Sequence, residues 1–230
     1  LLAFLAQAEK AAADDPRALQ HVRTDKKLFE MTWIAERKKF LESYREFKAY
    51  QKKADITIDG EVNEPDWKNA DVATGFILQG SNPAKNVAAQ TFVRAAYDHD
   101  NIYFAITAME PDPAGMKCGA RKSDEIWDEC TLEIFLQQPD LGNNFIHIAI
   151  TPKDLIYAAL NSSSVKARVL DSSRIEFKNK ILADRWCLEI RIPAYLIGMN
   201  FSPGSTWRFN AGRARNLKDK TSEYSSLANG

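Results

Sequence analysis

Between residue 91 and the C-terminus the chain repeatedly alternates apolar and polar side chains over short runs: residues 91–97, 102–108, 131–137, 145–151, 185–192 and 207–213. A period of two is that of a strand with one face in a core. Ile102, Phe104 and Ile106, then Leu132, Ile134 and Leu136, Ile146, Ile148 and Ile150, and Leu188, Ile190 and Ile192 all fall on such apolar faces. The opposite faces carry Arg94, Glu133, His147, Glu189, Arg191, Arg208 and Asn210, which a sandwich would present to solvent or to a ligand. Turn-forming residues separate the runs at Asp98-His99-Asp100-Asn101 and at residues 139–144 and 161–164. Consecutive strands are therefore expected to pair antiparallel, giving a mainly β, two-sheet, jelly-roll-like sandwich.

The first 54 residues have a different texture. Leu1, Leu5 and Ala8 recur at helical spacing, Asp14-Asp15-Pro16 punctuates, and no Gly or Pro interrupts residues 17–53. Two helices are expected, the second with an apolar stripe of Leu28, Met31, Ile34 and Ala35, then Phe40, Leu41, Tyr44 and Phe47. The expected division is a helical segment, residues 1–54, followed by the sandwich, residues 55–230.

With 45% hydrophobic residues, the chain has enough apolar surface for a packed core. Lys+Arg and Asp+Glu both total 31, so net charge offers no long-range attraction for nucleic acid or an anionic membrane. Basic residues outnumber acidic ones 12 to 8 up to Ala54, and acidic outnumber basic 23 to 19 beyond it, consistent with two pieces of different character. Cys118, Cys130 and Cys187 form no disulfide-scaffold or C-x-x-C spacing. Phosphate-binding Gly motifs, a G-x-S-x-G elbow and an H-E-x-x-H motif are absent from the sequence. The opening LLAFLAQA lacks a basic flank and is too short to cross a bilayer. A start at Leu1 without Met reads as a fragment of a longer polypeptide, so any secretion signal would lie upstream.

Six motifs carry a family resemblance. Ile56-Thr-Ile-Asp-Gly60 leads through Glu64-Pro-Asp-Trp67 to Lys-Asn-Ala70; Val93-Arg-Ala-Ala-Tyr-Asp98 is followed by Asn101-Ile-Tyr-Phe104; Ile126-Trp-Asp-Glu-Cys-Thr-Leu-Glu-Ile-Phe135 follows in turn. His147-Ile-Ala-Ile-Thr-Pro152, Trp186-Cys-Leu-Glu-Ile-Arg-Ile-Pro193 and Arg208-Phe-Asn210 complete the order. From about Ile56 onward this series resembles the family-nine carbohydrate-binding modules, and the helical segment resembles the tails of large bacterial glycosidase-like proteins. The resemblance implies a non-catalytic sandwich that binds saccharides, commonly at chain ends, for an upstream catalytic domain of the same polypeptide. It also implies an extracellular or periplasmic location.

A sugar presents an apolar face of axial hydrogens and a rim of hydroxyls, so its site needs an aromatic platform beside carboxylates, amides or guanidinium groups. By the resemblance, Trp127 matches one of two Trp that sandwich a sugar, and Glu133 matches a hydroxyl-accepting carboxylate. Alternation would add Arg94, His147, Arg191 and Asn210 to the polar face of Glu133; ordinary cross-strand ion pairing is the competing role. Trp67, Trp186 and Trp207 are read as core. The family's second sandwiching Trp should fall near Leu227, and an Asn near Ala149, so this chain departs from the pattern twice. Losing the sugar site while keeping the scaffold for protein interaction is the alternative function. An enzymatic alternative, paired carboxylates among Asp124, Glu125, Asp128, Glu129 and Glu133, is disfavoured because these acids crowd one short stretch. The resemblance further allows structural calcium, with Asp59, Glu61, Glu64 and Asp66, or Asp98, Asp100 and Asn101, as oxygen ligands; solvated turn acids are the other reading.

Overall fold

The structure, a computed structural model, describes residues 2–43, 46–81, 83–87, 89–138, 144–162, 166–198 and 201–228, with side chains described in the long helix only up to residue 32. The chain forms two compact units, residues 1–46 and 47–230. In the first, α1 (Leu2–Ala11) and α2 (Pro16–Ser43) are the two expected helices. Asp15 caps α2: its Oδ1 accepts the Arg17 and Ala18 amides, and Pro16 occupies the first turn, where no amide partner is needed. Glu9 of α1 bridges Arg23 and Lys26 of α2, both at 3.0 Å. Leu28 and Met31 of the expected stripe are exposed, while Ile34, Ala35, Phe40, Leu41 and Tyr44 lie outside the residues whose side chains are described.

The second unit is a two-sheet sandwich. One sheet runs β1 (Tyr50–Gln51), β3 (Thr91–Tyr97), β4 (Asn101–Met109), β10 (Arg185–Pro193), β9 (Glu176–Ile181). The other runs β2 (Ile77–Leu78), β12 (Ser222–Ser226), β11 (Arg208–Asn216), β5 (Thr131–Gln137), β6 (Phe145–Ile150), β7 (Ile156–Asn161), β8 (Arg168–Val169). All pairings between these strands are antiparallel except the two-residue contact of β1 with β3. That contact belongs to residues 47–54, which the helical pattern predicts to lie with the helices. A run without Gly or Pro carries no local stop signal; the edge of β3 and the Asp66 carboxylate, which accepts the Lys53 and Ala54 amides, hold this segment extended.

The twelve residues expected on inward faces, from Ile102 to Ile192, are all buried in one core with Trp186. Trp67 is buried against Ala96, Tyr103 and Ala105 on the outer side of the five-stranded sheet, and Trp207 is partly buried. Trp67 is the third residue of α3 (Pro65–Asn69), and the segment from Ile56 to this helix covers part of that outer face. The cover corrects one expectation: Glu189, placed on a solvent face by alternation, is fully buried beneath it. Gly60 makes the approach possible. It lies at φ 82°, and a Cβ there would come within 3.1 Å of Lys180 Cβ and 3.2 Å of the Lys178 carbonyl.

A largely buried ion triad ties the two sheets together. Glu110, just past β4, accepts from Arg213 at 2.8 Å and from Arg215 at 2.8 and 2.9 Å, while Arg213 Nη1 also donates to the Met109 and Ala89 carbonyls. The expected turn at 98–101 is present, with Asp98 Oδ1 accepting the Asp100 and Asn101 amides; most of the expected turns at 139–144 and 161–164 lies outside the described residues. Among the described residues no helix is long and apolar enough to cross a membrane.

Candidate functional site

Adjacent strands β5 and β6 present Glu133 and His147 on the outer face of the seven-stranded sheet. Register pairs Phe135 with His147 and Glu133 with Ala149, so His147 is the diagonal neighbour of Glu133. Its Nε2 lies 2.8 Å from Glu133 Oε2, and the Thr131 hydroxyl donates to Glu133 Oε1 at 3.0 Å. The imidazole stacks on Phe135, with ring centroids 4.4 Å apart and planes 17° from parallel. This stacking stands both rings upright on the sheet and fixes the direction in which His147 meets the carboxylate.

Trp127 enters from the turn that precedes β5. Residues Ile126–Asp128 form a single 3-10 turn, closed by the Glu129 amide donating to the Ile126 carbonyl and anchored by the fully buried Ile126. The carboxylate of Glu129 accepts the Gly119 amide, tying this turn to the preceding loop. Trp127 itself stays 45% exposed, braced edge-to-face by Tyr157 of β7 at 4.9 Å and lying 5.7 Å from the His147 ring. A large apolar ring left half in water beside an anchored carboxylate and an imidazole has the composition a pyranose requires. The flanking side chains are small. Ala149 and Gly212 sit opposite Glu133 on either side, and a Cβ at Gly212 would already stand 3.5 Å from Glu133 Cβ and from the Phe135 ring. Bulk at 212 would therefore cover the carboxylate.

The other expected site residues divide. Asn210 lies on the same face, opposite Phe135, and its Oδ1 accepts the Ala228 amide at 3.2 Å. Arg94 of β3 and Arg191 of β10 do not join Glu133, because their strands belong to the five-stranded sheet on the opposite side of the sandwich. Alternation distinguishes inward from outward but not which of two sheets a strand enters. Arg191 is held there by Glu176 at 2.6 Å. Leu227 packs partly buried against the core and its amide donates to the Ala211 carbonyl, so it supplies no second stacking ring. Tyr157, Phe135 and Phe145 were missed. The two Phe were readable as the outward positions beside Glu133 and His147; Tyr157 lies in a nearly unbroken apolar run that masks its period.

The calcium expectation is refined by the acids' actual partners. Asp66 accepts the Lys53 and Ala54 amides, Glu61 pairs with Lys180, and Asp98 is occupied by two backbone amides and the Tyr103 hydroxyl. Asp59, Glu64 and Glu189 instead each bring a carboxylate oxygen within 4.8 Å of the others. Glu189 accepts the Asp59 amide, the Gly60 amide at 2.7 Å and the Trp67 indole N–H at 2.7 Å. Burial, reinforced by the Glu64 charge, pushes its carboxyl well above the usual range. Oε2 of Glu64 is buried with no hydrogen-bond partner. A hard cation with oxygen ligands fits this set, since it would satisfy the orphaned oxygen and offset the crowded charge.

No protein-family model and no curated protein matches the chain. Solved structures do match. A protein of Bacteroides uniformis ATCC 8492 provisionally named for carbohydrate binding is similar at TM-score 0.62 and 12% identity, over 79% of this chain and 88% of that one. A family-nine carbohydrate-binding module of Caldicellulosiruptor kristjanssonii in complex with glucose is similar at TM-score 0.58 and 15% identity, over 79% and 85% of the two chains. The same module in complex with cellotriose gives 0.58 and 15%, over 78% and 84%. The fold is thus that of the family-nine modules, as the six motifs led one to expect.

Proposed function

We propose that the sandwich binds saccharides without catalysis, at the outer face of the seven-stranded sheet, with Trp127 as platform and the Glu133–His147 pair as hydroxyl partner. The half-exposed Trp127 ring beside an oriented carboxylate carries this reading. Likeness to a module that binds glucose and cellotriose supports it. In the longer polypeptide the module would bring a glycoside hydrolase-type domain to its substrate, outside the cytoplasm, and a calcium ion held by Asp59, Glu64 and Glu189 would pin the 56–69 segment to the sheet. Leu227 favours a second reading, a sandwich kept for protein interaction, because only one face of a sugar ring can be stacked here. Calorimetry with glucose, cellotriose and a wider oligosaccharide panel separates the two. Trp127→Ala should weaken sugar binding by roughly 1–3 kcal/mol while leaving the melting temperature unchanged. No binding by the wild-type chain at millimolar sugar, or equal binding by the variant, would transfer the assignment to protein interaction.

A further inference from the structure

The five-stranded sheet carries a cleft of its own, on the side of the sandwich away from Trp127. The segment that buries Trp67 covers only part of this outer face, and where α3 ends a cleft of about 360 Å³ opens. Its floor is the end of three paired strands: Phe92 of β3 lies opposite Thr107 of β4, which lies opposite Cys187 of β10. Val62 and Lys68 of the covering segment, Arg94 of β3 and Leu182 of the β9–β10 turn form its walls. The volume is at the lower end of small-ligand sites, which run roughly 300–1,000 Å³.

The cleft is electrostatically one-sided. Glu61, on its rim, is taken up by Lys180, and Arg185 is taken up by Asp184 at 2.7 Å. Arg94 and Lys68 line the same space, and neither has an anionic partner among the described residues. The Cys187 thiol is buried and its ionisation is pushed up by that burial, so the floor adds no negative charge. Arg94 stands half-buried in mid-strand, where a guanidinium gives up part of its hydration without a counter-ion in return. Its planar fork matches a carboxylate in two parallel hydrogen bonds, and Lys68 adds a second positive charge. Phe92 on the floor and Val62 and Leu182 on the walls supply apolar surface that a bare inorganic anion would leave unused. Val62 holds φ 51°, a conformation disfavoured for a β-branched residue, and it lines the wall of the cleft.

We infer that this cleft is a second ligand site, for a carboxylate-bearing ring such as the uronate unit of an acidic saccharide, held by Arg94 with Lys68. The inference extends the proposed function and does not depend on it, because the two sites lie on opposite sheets. The probes are D-glucuronate, D-glucose and inorganic phosphate, titrated into the full 230-residue chain and followed by calorimetry. Glucuronate should bind, glucose should not compete with it, and Arg94→Gln should weaken it about tenfold, the loss expected for a charged hydrogen bond of about 1.5 kcal/mol. Arg94→Lys, which keeps the charge without the fork, should fall between the two. Trp127→Ala should leave glucuronate binding intact, whereas loss of glucose in that variant tests the other site alone. Unchanged glucuronate affinity in Arg94→Gln at unchanged melting temperature overturns the inference. So does its loss in Trp127→Ala, or phosphate binding as tight as glucuronate.

Discussion

His147 Nε2 and Glu133 Oε2 lie 2.8 Å apart on neighbouring strands, with the Thr131 hydroxyl on the other carboxylate oxygen. Glu133 is thereby held in one orientation before any ligand arrives, which lowers the ordering cost of binding. Replacing it by Gln preserves shape and one acceptor oxygen but turns a charge-assisted hydrogen bond into a neutral one of about half its strength. Glu133→Gln should therefore weaken sugar affinity about tenfold, given 1.5–3 kcal/mol for a bond to a charged group, at an unchanged melting temperature. Titration calorimetry on wild type and variant reads this out; equal affinities would remove Glu133 from the binding role.

Glu64 and Glu189 place two buried carboxyl groups within 4.8 Å, an arrangement that repels when both are ionised. A divalent cation bound there stabilises the folded chain by mass action, about 2.7 kcal/mol at a hundredfold excess over its dissociation constant. Millimolar calcium should raise the melting temperature of the chelator-treated protein. Glu64→Gln removes one charge of the pair, so its calcium-free melting temperature should match or exceed wild type while the calcium-induced rise disappears. A wild-type chain indifferent to calcium would leave protonation of Glu189, whose carboxyl is raised by burial, as the way the pair is accommodated.

The core was legible because twelve inward residues repeat at a period that only a strand satisfies, and all twelve are buried. Short edge strands were not: β1, β2 and β8 hold two residues each and exist through their neighbours. Trp127 and Glu133 could be singled out because residues 126–135 resemble the family-nine segment in which a stacking Trp precedes a strand carrying a hydroxyl-accepting carboxylate. Alternation places Arg94 on the face of Glu133, and the structure does not, because pairing order is long-range information: β3 joins β4, and β4 joins β10, while β5 and β6 pair in the other sheet. Alternation points Glu189 to solvent or a ligand, yet it is buried, for a related reason: no alternation rule anticipates residues 56–69 folding back over the sheet.

Ile148 illustrates how strictly the faces are set. It is fully buried on β6, opposite Ile134 of β5 and Ala158 of β7. An aspartate there would be an unpaired charge in an apolar core, and it would either ionise at a cost well above the few kcal/mol of a lost contact or take up a proton. Against a typical total stability of about 5–15 kcal/mol, Ile148→Asp should abolish cooperative thermal unfolding of the sandwich. An unchanged melting curve would show that the inward face had been misassigned.

Glu110 gives the fold a defined acid limit. Burial alone would raise its carboxyl, but the hydrogen bonds and charges of Arg215 and Arg213 outweigh it and hold the group below the usual carboxylate range. A folded value below the unfolded one means that the unfolded chain binds the proton more readily. Its contribution to stability is therefore complete above the unfolded value of about 4.3 and is lost as pH falls through the folded value. Removing the carboxylate leaves Arg213, only 2% exposed, as an uncompensated buried cation, a change that costs about 3–5 kcal/mol in buried ion pairs. Glu110→Gln should thus melt well below wild type at pH 7. The gap should narrow as pH drops below about 4.3, because wild type loses what the variant already lacks. Thermal melts of both chains from pH 7 to pH 3 check the sign directly; a gap that stayed constant across this range would show that Glu110 carries no linked proton.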